Sequence, residues 1–408
     1  MVTHPVRLRI EDDLARSRLT VFFRLLLALP HIVWLLLWTV ATVVAALLNW
    51  LATLIRAIPL RGLHRFLAAY ARYSTHVGAF VFLAANPFPG FTGRPGSYPV
   101  DLEIGEPQRQ NRWITLFRIF LALPAALIAG ALAGSGGFGL GRAGTAAFVF
   151  ASGGAVMTLS FLSWFASLVR GREPRGLRDA IAYALRYAGQ LDAYVFCLTD
   201  RYPNADPRTE ATARADAQHP VRLTVVDDLV RSRLTVFFRL LLGLPHIVWL
   251  LLWGVAALIA AFVNWVVTLV RGQAARALHR FLAAYARYQT HVYAYLSLLA
   301  NPFPGFTGKW GSYPVDVDLP EPSRQNRWVT LFRIVLAVPA FMISGALSNL
   351  MFLAGFLGWF AALARARMPM GLRNAAAYAL RYSMQANAYG IYLITDRYPY
   401  SGPLSQEP

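Results

Sequence analysis

The chain has 408 residues, 57% hydrophobic and only 14% charged, where a soluble domain carries roughly a quarter charged residues, so an ordinary water-soluble globule is excluded. Its 39 Lys and Arg against 20 Asp and Glu leave a formal charge of +19, which beside apolar segments points to membrane lipids with anionic head groups, at about 1 kcal/mol per basic residue near the surface, and not to nucleic acid. The single cysteine, Cys197, excludes an internal disulfide and a multi-cysteine metal site.

In chain order, Met1 to Glu11 is polar and no cleavage-site pattern follows the first apolar run, so the chain is expected to insert through its own first apolar helix. Val6, Leu8 and Ile10 alternate with Arg7 and Arg9, the period of a half-buried strand. Leu19 to Ile55 follows, too long for one crossing of a hydrocarbon core of about 30 Å. Pro30 is expected to break it into an interfacial helix over about Ser17–Leu29 and a crossing helix over Pro30–Arg56. Leu63 to Ala85 carries Arg65, Arg72 and His76 and either crosses with its polar face turned inward, the reading adopted in counting crossings, or lies in the interface.

The pattern then recurs. Leu19–Trp34 and Leu234–Trp249 are near-identical, and NPFPGFTG stands at Asn86 and Asn301. Each half holds two copies. Strand-like openings stand at His4, Tyr98, His219 and Tyr313. An arginine precedes a proline by six residues at Arg24, Arg118, Arg239 and Arg333. A tryptophan follows at Trp50, Trp164, Trp265 and Trp359, then an Arg-Tyr pair at Arg72, Arg186, Arg287 and Arg381. The units are 1–97, 98–205 with a Gly-rich insertion over about 130–154, 219–312 and 313–408, with 206–218 as linker. Gly130 to Thr145 is expected to form a loop or a helix break, since each glycine costs about 1 kcal/mol in a helix interior.

Odd strands carry Arg7, Arg9 and Arg222 outward, and even strands Asp101, Glu103, Asp316 and Asp318, so odd strands are predicted to pair with even ones in a small water-facing sheet. The resulting fold class is an all-α membrane protein with about eight transmembrane helices in four tandem parallel repeats, each with a short N-terminal β-strand and an interfacial helix. Five arginines within the first 24 residues predict a cytoplasmic N-terminus of a multi-pass protein in the cell membrane.

The HPVRL opening, the FRLLLALPHIV run, the PRGL loop at Pro174–Leu177 and the closing TDRYP at Thr199 and Thr395 resemble the bacterial membrane family called domain of unknown function 4389, in four copies over nearly the whole chain. The resemblance implies a membrane fold and no assigned activity, so it carries over no catalytic residues.

Two sets of residues are candidates. Arg24, Arg118, Arg239 and Arg333, at equal spacing, are predicted at one depth near the head groups, where they either snorkel or bind lipid phosphate bidentately. Arg72, Arg186, Arg287 and Arg381, with Asp192, are candidates for a polar centre at the repeat interface or for buried arginines satisfied by carbonyls. His31, His246, His76 and His291 recur at matched positions, but no second ligand stands three or four residues away, so no metal is expected. No nucleophile elbow, P-loop or HExxH pattern occurs, and no cofactor is implied. The expected function is a non-enzymatic membrane scaffold, assembly or lipid-binding protein, with a membrane protein partner open. The alternative is a channel or transporter along the repeat axis.

Overall fold

The computed structural model describes residues 4–133, 154–210 and 219–403. The chain divides into two compact units, Met1–Ala205 and Asp206–Pro408, each holding two repeats. The first unit contains β1 (Val6–Ile10), α1 (Arg18–Phe22), α2 (Arg24–Arg56), α3 (Arg61–Val81), β2 (Val100–Ile104), α4 (Arg112–Leu116), α5 (Arg118–Ala133), α6 (Ala155–Arg170) and α7 (Arg175–Val195). The second contains β3 (Arg222–Val225), α8 (Arg233–Phe237), α9 (Arg239–Arg271), α10 (Arg276–Leu296), β4 (Val315–Asp318), α11 (Arg327–Arg365) and α12 (Met370–Gly390). Gly130 lies within α5 and Gly154 caps the start of α6, while residues 134–153, Gly134 to Gly144 included, fall outside the described residues. The expected linker begins as part of the second unit: Pro207–Glu210 is a short 3-10 turn, and Asn374 donates to the Asp206 carboxylate at 2.6 Å.

Among the described residues three helices, α2, α9 and α11, are long and apolar enough to cross a membrane, and α5 and α6 are shorter apolar helices. The break expected at Pro30 is at Phe23 instead (φ −89°, ψ 8°), and α2 continues through Pro30 for 33 residues. The reason is the buried stripe. Arg24, Ala28, His31, Leu35, Thr39, Thr42, Ala45, Asn49 and Thr53 recur every three or four residues on both sides of the proline and seat the helix on α3 and, at Asn49, on the end of α7. In the fourth repeat even the Phe23-type break is absent, and α11 runs 39 residues through Phe332 and Pro339.

The strands pair odd with even, as expected, and the structure adds that both ladders are antiparallel. Arg7 stands opposite Glu103, Arg9 opposite Asp101 and Arg222 opposite Asp318. Two of the acids do not face water. Asp101 and Asp316 are buried, drawn in by His76 and His291.

The repeats of each pair run antiparallel, which corrects the expected parallel arrangement. In the second unit the Trp265 indole donates to the Thr330 carbonyl (2.8 Å), and the Trp359 indole donates to the Val236 carbonyl (2.9 Å). Each tryptophan near the end of one long helix therefore meets the start of the other. Trp50 and Thr115, with Trp164 and Val21, repeat the exchange in the first unit. Such reciprocal contacts mark an approximate two-fold axis between repeats. The cause lies in the connection. After α3 returns the chain to the start of α2, β2 crosses the middle of α3, and residues 105–111 carry the chain on to the far end. There the Gln110 amide bonds the carbonyl of Ala57, just past α2.

Each unit is thus layered. α3 and α7 lie in the middle. On one side the Tyr70 and Tyr73 hydroxyls meet Thr39 and His31 of α2. On the other side Arg72 donates to the Leu102 carbonyl of β2 and Gln190 to the Val6 carbonyl of β1. The sheet stands over the middle of the amphipathic helices, halfway along the helical run from Arg18 to Arg56.

Candidate functional site: the arginine clasps

The four arginines before the prolines are among the most buried side chains of the protein, 2%, 1%, 1% and 0% exposed at Arg24, Arg118, Arg239 and Arg333. Each reaches the C-terminal end of the amphipathic helix of its own repeat. Arg24 Nη1 donates to the carbonyls of Phe80 (2.6 Å) and Ala85 (3.0 Å), and Nη2 to Asn86 Oδ1 (3.1 Å). Arg239 repeats this on Tyr295, Ala300 and Asn301 at 2.5, 3.0 and 3.1 Å. Arg118 takes Tyr194 and Thr199 carbonyls with Gln110 Oε1 as third acceptor, and Arg333 takes Tyr389 and Thr395 carbonyls with the Asp396 carboxylate.

Why these carbonyls are free to accept follows from the local chain. The last carbonyls of any helix lack an intrahelical donor and carry the negative end of the helix dipole. The chain then turns through a left-handed residue at Leu83, Cys197, Leu298 and Leu393 (φ 69°, 57°, 62° and 54°), conformations that cost a non-glycine residue of order 1–2 kcal/mol. Each guanidinium bridges carbonyls on both sides of that residue and so holds the turn. An aromatic ring lies against each cation, with guanidinium carbon to ring centroid distances of 4.6 Å (Phe80), 4.7 Å (Tyr194), 4.3 Å (Tyr295) and 5.0 Å (Tyr389). The four Nε–H groups have no protein acceptor and are sealed from the surface. The clasps occupy equivalent places in all four repeats, and their charge is met by the protein's own carbonyls.

The second arginine set is dispersed. Arg72 and Arg287 each donate to the strand of the following repeat, at Leu102 (3.0 Å) and Val317 (3.3 Å). Arg381 donates to the Gly402 carbonyl (2.6 Å) and lies over the Tyr378 ring, as Arg186 lies over Tyr183. Asp192 lines a cavity of about 40 Å³ between α3 and α7 with Ser74, Thr75, Leu185 and Ala188.

Sequence reasoning missed the histidine partners. His76 Nε2 bonds Asp101 Oδ1 at 2.7 Å, and the same carboxylate accepts from the Gly96 amide (2.5 Å) and the Leu102 amide (2.9 Å). Burial pushes the Asp101 carboxyl up, but these three donors outweigh it and hold the group below its ordinary range. His291 and Asp316 form the same pair at 3.0 Å. His31 and His246 bond Tyr73 and Tyr288 (2.7 and 2.8 Å) and are flanked by the phenylalanines of NPFPGFTG, with ring centroids 4.4 Å away in each case. Gly93 of that loop is left-handed (φ 57°), and a β-carbon there would stand 2.1 Å from the Ala69 carbonyl, so only glycine allows the loop to close on α3. Among the described residues no three His, Cys, Asp or Glu side chains gather as a metal site.

The family described as domain of unknown function (DUF4389) matches the chain at residues 18–92, 145–205, 233–307 and 327–401. No curated protein and no solved structure matches it.

Proposed function

The chain belongs to the DUF4389 family as four tandem copies, and from that premise we propose that it is a non-enzymatic membrane protein, a scaffold or assembly factor that works through its outer surface. The observation that carries this reading is where the polar groups go. The repeated arginines and histidines, the chain's best material for chemistry or transport, are engaged with its own backbone and side chains. The outward faces of the long helices are apolar: Leu25, Leu37, Val40 and Leu47 are 57%, 63%, 69% and 63% exposed. A membrane is the medium in which that surface is stable.

A channel or transporter needs a continuous polar path. The space between α3 and α7 is instead closely packed. A β-carbon at Gly78 would meet Leu185 of α7 at 3.0 Å, and on the other face of α7 one at Gly189 would meet Leu102 of β2 at 2.7 Å. The cavity beside Asp192, about 40 Å³, has room for a few waters and no solute. α3, α7, α10 and α12 are packed inside each unit, with Tyr73, Tyr187, Tyr288 and Tyr382 at their centres at most 2% exposed, so the surface offered to lipid is that of the long helices. The proposed location is the cell membrane, with lipids as first partner.

Purified protein in sealed vesicles carrying a potassium or proton gradient tests the reading. The expected result is a gradient that persists and a protein that resists alkaline extraction from its native membrane. Collapse of the gradient supports the transport reading, and release by alkali removes the membrane reading.

A further inference from the structure

The layering has a consequence for how the protein meets the bilayer. A helix of 33 residues is about 50 Å long, some 20 Å more than the hydrocarbon core. In the second unit two such apolar helices, of 33 and 39 residues, lie antiparallel on one side of the amphipathic helices; in the first, α2 lies antiparallel to the shorter apolar helices α5 and α6 in the same way. The sheet lies on the other side, at mid-length. Its surface carries Arg7, Arg9, Glu11 and Glu103, all exposed. Were the long helices upright in the membrane, these charges would stand at the depth of the bilayer centre, where an exposed charge costs several kcal/mol.

Turning the unit on its side removes both conflicts. A helix lying along a leaflet has no length limit, and its polar stripe here already faces α3 rather than lipid. The ends of the long helices then meet the head groups. They carry exposed Arg56 and Arg61 at one end and Arg170 and Arg175 at the other, with Trp113 72% exposed at a tip. The second unit repeats this with Arg271, Arg276 and Trp328. Arginine complements anionic head groups, and tryptophan favours the interface.

Resting on the membrane reading above, we infer that each unit is embedded in one leaflet of an anionic bilayer, with its long helices in the membrane plane and its charged sheet in water. The partner this surface fits is the leaflet itself.

Spin labels on the full chain test it. Leu29, Leu36, Val40 and Leu47 are exposed on one face of α2, and over these 18 residues an upright helix climbs about 27 Å. Leu244, Leu251, Val255 and Phe262 are their counterparts on α9. Cysteine is placed at one such position at a time, Cys197 being fully buried and serving unlabelled as the control. The protein is reconstituted in phosphatidylcholine/phosphatidylglycerol vesicles, and label depth is read from collisions with oxygen and with a polar nickel complex. The expected result is one common depth within a single leaflet along each helix. A depth profile that peaks at mid-helix and falls toward head groups at the ends overturns the inference and leaves a crossing membrane protein. Labels open to the nickel complex at all positions, with no flotation of protein with vesicles, overturn the membrane reading as well. Equal flotation with pure phosphatidylcholine removes the anionic preference.

Discussion

A guanidinium withdrawn from water is tolerable only when its donors find acceptors, and removing a member of such a network leaves the others unsatisfied. Arg239 holds two carbonyls and one amide oxygen, against the Tyr295 ring. Arg239→Gln, which reaches at most one of them, is expected to destabilise the protein by about 3 kcal/mol, read as a lower denaturant midpoint of protein in detergent micelles. Unaltered stability with less bound anionic lipid would show instead that this arginine serves lipid phosphate. His219 gives a pH dependence. Its Nδ1 accepts from the Val221 amide at 3.1 Å, and burial, with Arg381 and Arg397 nearby, pushes the imidazole from its ordinary 6.5 down to about 4. A folded pKa below the unfolded one means that the unfolded chain binds the proton first. Stability is therefore full above pH 6.5 and falls as the pH drops through the window to about 4, by about 3 kcal/mol for this group. His219→Asn keeps an acceptor for Val221 but cannot titrate there. It should flatten the slope of stability against pH between 6.5 and 4, and a slope as steep as that of the parent protein would count against the assignment.

At the scale of the element, the exchanged tryptophans hold the repeats together. Trp265→Phe removes one hydrogen bond and leaves the carbonyl of the fully buried Thr330 without its indole donor, a loss of about 1–2 kcal/mol measured by chemical unfolding. An unchanged unfolding midpoint would mean that the exchange is a consequence of packing rather than a cause of it. How far such elements were readable in the sequence varies. Alternation and charge sign were enough to pair odd strands with even ones, because Arg7 and Arg222 need acids opposite, but not to choose β1–β2 and β3–β4 over β1–β4. Direction was not readable, since opposed charges pair in either sense and the turn between repeats is set by where residues 105–111 dock. The arginine set was visible as four equal spacings, but its burial against the protein's own carbonyls was not. Nothing local in an apolar run shows that a neighbouring helix ends beside it and offers free carbonyls. The usable signal was weak: a Leu or Cys in the left-handed turn where glycine would be the default. Asp101 misled through its alternation. It sits at the start of β2, and its carboxylate turns back to Gly96 and His76 instead of out to solvent.

For the whole molecule the question is what folds as one piece. The stabilising contacts described above close within Met1–Ala205 or within Asp206–Pro408, and none of them needs the other unit. Within a unit the reverse holds. β3 has its ladder partner in β4, Trp265 its acceptor at Thr330, Gln385 its acceptor at Val221 and Asn264 its acceptor at Tyr392, each in the other repeat. Residues 206–408 expressed alone should therefore insert into membranes, resist proteolysis in detergent and unfold in one cooperative transition. Residues 219–312 alone should not, because half of a two-stranded sheet and one side of every reciprocal contact are missing. Adding 313–408 as a separate chain should restore protease resistance to both pieces, since the contacts between repeats need no covalent link. Stable, monomeric folding of 219–312 would show that the repeat, and not the clasped pair, is the folding unit. In that event the antiparallel pairing would be an arrangement of finished parts rather than the step that completes them.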